Sequence, residues 1–175
     1  FYPIDWFTHV IEEVDEGGDK LYRDPWRTWL VAPTLDGLAK MNDDFDLMIK
    51  VFLGQATSFL ITLGLTEVWS PVDYPEIVLN QVPIAGMRLK KEGWRSHLAN
   101  YSEVRRSIEM IITVIRDEVL PRGKIIFTLS PIPLKYTASD LSIREANSLS
   151  KSTLLVALRE CIKEQQDIDY FPSYE

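Results

Sequence analysis

Two short runs carry residue types that can serve a binding or catalytic site: Gly64-Leu65-Thr66-Glu67 and Ser130-Pro131-Ile132-Pro133. A threonine hydroxyl can donate a hydrogen bond to a developing oxyanion, and a neighbouring carboxylate can bind or orient a substrate. Plainer readings stand beside these: Gly64 can permit a turn and Thr66 can cap it. Ser148-Leu149-Ser150-Lys151 has Ser-x-x-Lys spacing, which on one helical turn would bring a lysine amine to a serine hydroxyl as its base. Its competing reading is a helix start, capped by Ser148 or Ser150. His9 and His97 are the two histidines. His9, close to Glu12 and Glu13, reads as a surface residue. His97, between a basic loop and a helix start, is a candidate ligand contact. Neither has a carboxylate at metal-ligand spacing, so no zinc site is expected. With no Walker A and no G-x-G-x-x-G run, no nucleotide cofactor is expected either. Arg88, Lys90, Lys91 and Arg95 read as a solvated face, or as a grip on an anionic or sugar-phosphate substrate.

The elements that position these residues follow from periodicity. Phe59, Leu60, Ile61 and Leu63 form an apolar run over 58–63 that stops at Gly64. The run predicts a strand buried on both faces of a parallel sheet. Ligands in such sheets bind just past the carboxyl ends of the strands, where Gly64 to Glu67 stand. Residues 124–129 predict a second buried strand running into Ser130. Ile168, Tyr170 and Phe171 begin a third. Between and before the strands, apolar stripes predict helices over 4–15 (Asp5 as cap, Gly17-Gly18 as stop), over 35–55 (capped by Thr34 or Asp36), from Asn100 or Ser102 to about Leu120, and over 150–165. Residues 19–33 read as irregular or hairpin structure. Residues 67–83 read as a small inserted hairpin, 86–95 as a basic loop, and the stretch up to Leu149 as a further loop. Helix and strand alternate, and each interval is long enough for a right-handed crossover. This is an α/β pattern with a parallel sheet, which places the strand ends at Gly64–Glu67 and Ser130–Pro133 near each other on one side. One domain is expected over the 175 residues, with an insertion at about 70–96 too short to fold alone.

Composition narrows the functions. The hydrophobic fraction of 46% and charged fraction of 26% are those of ordinary globular domains. A net charge of −7 argues against nucleic acid and against docking to an anionic membrane surface. No apolar stretch reaches the ~18 residues of a membrane span. Cys161 stands alone, so neither an internal disulfide nor a cysteine metal cluster can form, and it reads as a small core residue. A reducing, cytoplasmic setting is the default expectation. Neither end has the polar, low-complexity look of a natural terminus, so the chain reads as an excerpt.

Four ordered motifs resemble the GSCFA-domain family: Leu-Gly-Leu-Thr-Glu-Val-Trp at 63–69, Thr-Leu-Ser-Pro-Ile-Pro-Leu at 128–134, Ala-Asn-Ser-Leu-Ser-Lys-Ser-Thr-Leu at 146–154 and Asp-Tyr-Phe-Pro-Ser-Tyr-Glu at 169–175. Asp24-Pro25-Trp26-Arg27 resembles it more weakly. The family is related to SGNH or GDSL-type hydrolases. The resemblance therefore implies an incomplete flavodoxin-like α/β/α fold and serine esterase or O-acyltransferase activity on acyl esters, of small molecules or of carbohydrate. It implies that the serine nucleophile and the Asp–His pair lie outside these residues. Gly64-Leu65-Thr66-Glu67 resembles the Gly-x-Asn-Asp block of the relatives, with Thr66 where an oxyanion-binding Asn is usual. Tyr2-Pro3-Ile4 stands where a Tyr-Gly-Asn-like run is usual, so a second donor is not expected there. Thr66 is thus the expected oxyanion donor, and Gly64, Glu67, His97, Asn100 and Ser130 the expected substrate-binding residues. A non-catalytic carbohydrate-binding module on the same fold is the competing expectation. With the family's first, central strand missing, a gap in the middle of the sheet and poor folding of the isolated chain are expected.

Overall fold

The computed structural model describes residues 12–16, 19–80 and 93–174. In chain order its elements are strands β1 (Glu12–Glu16), β2 (Asp19–Arg23) and β3 (Val31–Ala32), helix α1 (Leu35–Leu53), strands β4 (Ser58–Leu63), β5 (Glu67–Pro71) and β6 (Trp94–Leu98), helix α2 (Tyr101–Val114) with a π-helical turn (Ile115–Val119), strand β7 (Lys124–Leu129), helix α3 (Ile143–Lys163) and strand β8 (Ile168–Phe171). They divide into two compact units, one of residues up to Ile49 with Val68–Ser96, the other of Lys50–Glu67 with His97–Glu175. The segment expected to be an insertion at 70–96 falls in the first.

In the first unit, β1 pairs antiparallel with β2, and β2 with β3. Residues 12–16 are therefore strand where a helix over 4–15 was expected, and residues 4–11 lie outside the described residues. The register Glu16↔Asp19 leaves two residues, Gly17 and Gly18, between the strands. Pairing with β2 outweighs the helical stripe; Gly17 and Gly18, expected as a helix stop, lie outside the described residues. Thr34 caps α1 by accepting a hydrogen bond from Gly37 N at 3.1 Å. Asp24 is buried and folds an Asx turn, its Oδ1 accepting from Trp26 N at 2.7 Å and Arg27 N at 2.9 Å. Arg27 then reaches Asn42 and Asp46 on α1. Leu30, Ala32 and Leu38 form the buried cluster here. Trp69 of β5 bridges to Leu79, as a hairpin after β4 requires. The strand partner of β5, however, is β6. Trp94 and Arg95 thus belong to a strand rather than a basic loop, and residues 86–92 lie outside the described residues.

The second unit is built on a parallel sheet of order β4-β7-β8. Ile125, Phe127 and Leu129 project from one face of β7 into a core shared with Val104, Ile108 and Ile112 of α2 and Leu154, Ala157, Leu158 and Cys161 of α3. Both helices therefore cover the same face. Two crossovers of one hand, stepping the same way across a sheet, must do so. The other face carries exposed residues, with Leu60 67% and Phe171 58% exposed. This is the expected α/β architecture, incomplete on one side. It also corrects the expectation for 58–63: β4 lies on an edge and alternates, so it is not buried on both faces. The three strands pair with no gap between them; among the described residues the unpaired edges are the outer sides of β4 and β8.

Local chemistry explains the boundaries. Asn100 caps α2 in a capping box with Glu103. Ser142 caps α3 in the same way with Glu145. The third helix thus begins at Ile143 instead of 150, and the loop expected up to Leu149 ends seven residues earlier. Ser148 and Ser150 lie within the helix and cap nothing. Gly123, at φ 142°, turns the chain into β7. A Cβ there would stand 2.8 Å from Thr57 O, so both conformation and space require glycine.

Candidate functional site

In the second unit, residues of all four motifs meet at the carboxyl ends of β4 and β7. Leu63 pairs with Leu129, and Ser130 N donates to Leu63 O at 2.8 Å, so the runs from Gly64 and from Ser130 leave the sheet side by side. Helix α3 presents Asn147, Ser150 and Lys151 to both runs. Asn147 Oδ1 accepts from Leu134 N at 3.1 Å. Ser150 Oγ accepts from Thr66 N at 2.7 Å. Lys151 Nζ donates to Gly64 O at 2.8 Å and Ser130 O at 2.6 Å. Lys151 and Ser150 are both 0% exposed. Burial pushes the Lys151 ammonium below the ordinary lysine value. The motif after β8 closes the group. Ser173 Oγ donates to Leu129 O at 2.6 Å and is bonded to Thr128 Oγ1, and the Tyr174 ring lies 5.9 Å from Lys151 Nζ.

Thr66 is buried, 2% exposed, with its main chain fully engaged: N to Ser150 and O to Ala99 N at 2.8 Å. Its hydroxyl has no hydrogen-bond partner among the described residues. An oxyanion donor at this position can thus be the hydroxyl and not the amide. Glu67 is also buried and holds the loop beyond β7, accepting from Thr137 Oγ1 at 2.5 Å and Ala138 N at 3.1 Å. A Cβ added at Gly64 would meet no atom within 4 Å, so packing does not dictate glycine there. Ser130 Oγ accepts from Ile132 N at 3.2 Å and shapes its own turn.

His97 and Asn100 are held differently. His97, exposed on β6, contacts Glu103 Oε1 through Nε2 at 3.1 Å. The Asn100 side chain is occupied in capping α2. The Asn100 N–H, followed by His97, holds the Glu103 carboxyl below its usual range against a smaller opposing effect of burial. His9, Arg88, Lys90 and Lys91 lie outside the described residues, and Arg95 is exposed on β6. The Ser-x-x-Lys pair does not form: Ser148 is exposed, and Lys151 points to the two carbonyls. Sequence reasoning therefore reached Lys151 for the wrong chemistry and missed Asn147 and Ser150 as clamps. The signal was present. The inward stripe of Leu154, Ala157, Leu158 and Cys161 extends back through 150 and 151, placing a serine and a lysine on the core face of α3.

Among the described residues, no group of three or more His, Cys, Asp or Glu is placed to hold a metal ion. No described helix is long and apolar enough to cross a membrane. A family model described as the GSCFA family matches residues 23–175. No curated protein and no solved structure matches the chain.

Proposed function

The chain belongs to the GSCFA family, and on that footing we propose that it is part of an SGNH-like serine esterase or O-acyltransferase acting on acyl esters, of small molecules or of carbohydrate. The observation that carries this reading is the convergence of all four motifs on the carboxyl ends of β4 and β7, where α/β sheets bind ligands. In the intact protein a serine activated by a histidine attacks the acyl carbonyl and forms an acyl-enzyme, which water or an acceptor hydroxyl then resolves. The nucleophile and the Asp–His pair come from outside these 175 residues. This chain contributes the Thr66 hydroxyl, which donates to the oxyanion of the tetrahedral intermediate. Gly64, Glu67 and Ser130 shape the surrounding turns, and His97 and Asn100 are further substrate-binding candidates. Leu65 and Ile132, one on each of the two runs, are both exposed and give the site an apolar rim suited to an acyl chain. The fitting partner is the acyl ester itself; no cofactor enters the scheme.

The second reading, a carbohydrate-binding module that kept the fold without the chemistry, is favoured by two departures from the relatives' pattern: Pro3-Ile4 after Tyr2, and a hydroxyl at 66 where the relatives use an amide. The test is turnover of p-nitrophenyl acetate and acetylated sugars by the full-length protein, with Thr66→Ala beside it. The enzyme reading expects acyl release by the parent protein and its loss in the variant. Binding of acetylated sugar without any release would leave the binding module.

A further inference from the structure

Three consecutive peptide planes at the end of β4 are each held by a hydrogen bond. Lys151 Nζ holds the Gly64–Leu65 plane through Gly64 O, Ser150 Oγ holds the Leu65–Thr66 plane through Thr66 N, and Ala99 N holds the Thr66–Glu67 plane through Thr66 O. Peptide planes are rigid, so anchoring three in succession fixes the two dihedral pairs between them, those of Leu65 and Thr66. Threonine is β-branched and stiff at χ1, so a fixed backbone leaves its hydroxyl few directions. Two of the three anchors are neighbouring buried residues on one turn of α3. Lys151 also grips Ser130 O, and its bonds are the charge-assisted, stronger kind. A lysine whose Nζ bonds two neutral carbonyls and makes no ion pair with a carboxylate among the described residues is a costly way to hold a loop. An apolar residue would fill the same helix position at lower cost.

We infer that Ser150 and Lys151 are positioning residues: by gripping the main chain on both sides of Leu65, they aim the Thr66 hydroxyl. The inference rests on Thr66 being the oxyanion donor proposed above. Neither residue touches substrate. Their effect on turnover passes through Thr66, which separates this role from a simple clamp between helix and sheet.

The experiment measures kcat and KM of the full-length protein on p-nitrophenyl acetate for Ser150→Ala, Lys151→Met, Thr66→Ala and the two doubles that combine Thr66→Ala with each. Misplacing a catalytic group by about 1 Å can cost on the order of a hundredfold. Ser150→Ala and Lys151→Met are therefore expected to lower kcat tenfold or more at nearly constant KM, and to lower it no further once Thr66 is alanine. The same fold-loss in both backgrounds, or no loss in either, would overturn the inference. Wild-type kcat in Thr66→Ala alone would strike the oxyanion reading instead, so the two failures are told apart by the single variant. If Lys151→Met does not fold, Ser150→Ala, which removes one oxygen, carries the same comparison.

Discussion

At the scale of single residues, Lys151 is the most demanding feature of the chain. Its ammonium is fully buried against two main-chain carbonyls and an aromatic ring. Desolvation lowers its folded-state pKa below 10.5, the value taken for the unfolded chain. The folded protein therefore releases this proton at a lower pH than the unfolded chain does. Between the lowered value and 10.5 the unfolded state holds more protons, so this residue makes stability rise with pH across that window. Below the window both states are protonated, and the cost of burying the charge is carried in full. Denaturant unfolding of the full-length protein at a series of alkaline pH values should show the parent gaining stability relative to Lys151→Met as pH rises. Parallel pH profiles for the two proteins would contradict this. Cys161, by contrast, behaves as its lone occurrence suggests: it is buried in the core, and that burial pushes its thiol pKa up.

At the scale of elements, the strand ends carry the site and the helix caps set where α2 and α3 begin. Asn100 anchors the first turn of α2 by a reciprocal pair of bonds with Glu103. Replacing it with alanine should lower stability by about 1 kcal/mol, read from the denaturant midpoint at constant slope. An unchanged midpoint would mean that the cap adds nothing and that Asn100 is available for another role. Strands 58–63, 124–129 and the strand from 168 were legible from their apolar runs, as was α1 from its stripe and flanking turns. Two misreadings have physical causes. Val14 continues a helical stripe from Trp6, yet pairing with β2 decides residues 12–16. The start of α3 was hidden because Ala146 to Ser150 contain three polar residues. Their inward members bind backbone instead of packing against side chains, so hydropathy alone passes over them. Thr66 and Glu67 were legible as candidates because a strand stopped at a glycine beside them. The grip on Thr66 from residue 150, far along the chain, was not, because sequence spacing cannot show which side chain reaches a distant amide.

At the scale of the whole molecule, both helices cover one face of the sheet in the second unit and Leu60 and Phe171 stay exposed on the other. Val51 and Phe52 at the end of α1 are exposed as well. Apolar surface of that kind and an unpaired sheet edge favour association over a single folded state. The 175 residues alone are expected to melt without a sharp transition; a cooperative calorimetric transition would contradict this. The central claim is that the carboxyl ends of β4 and β7 form part of an acyl-transfer site in which Thr66 supplies an oxyanion donor. It is tested most directly by kcat of the full-length protein on p-nitrophenyl acetate with Thr66 replaced by alanine. A fall of roughly a hundredfold or more, the usual effect of losing one such donor, is predicted, and turnover equal to that of the parent protein would contradict it.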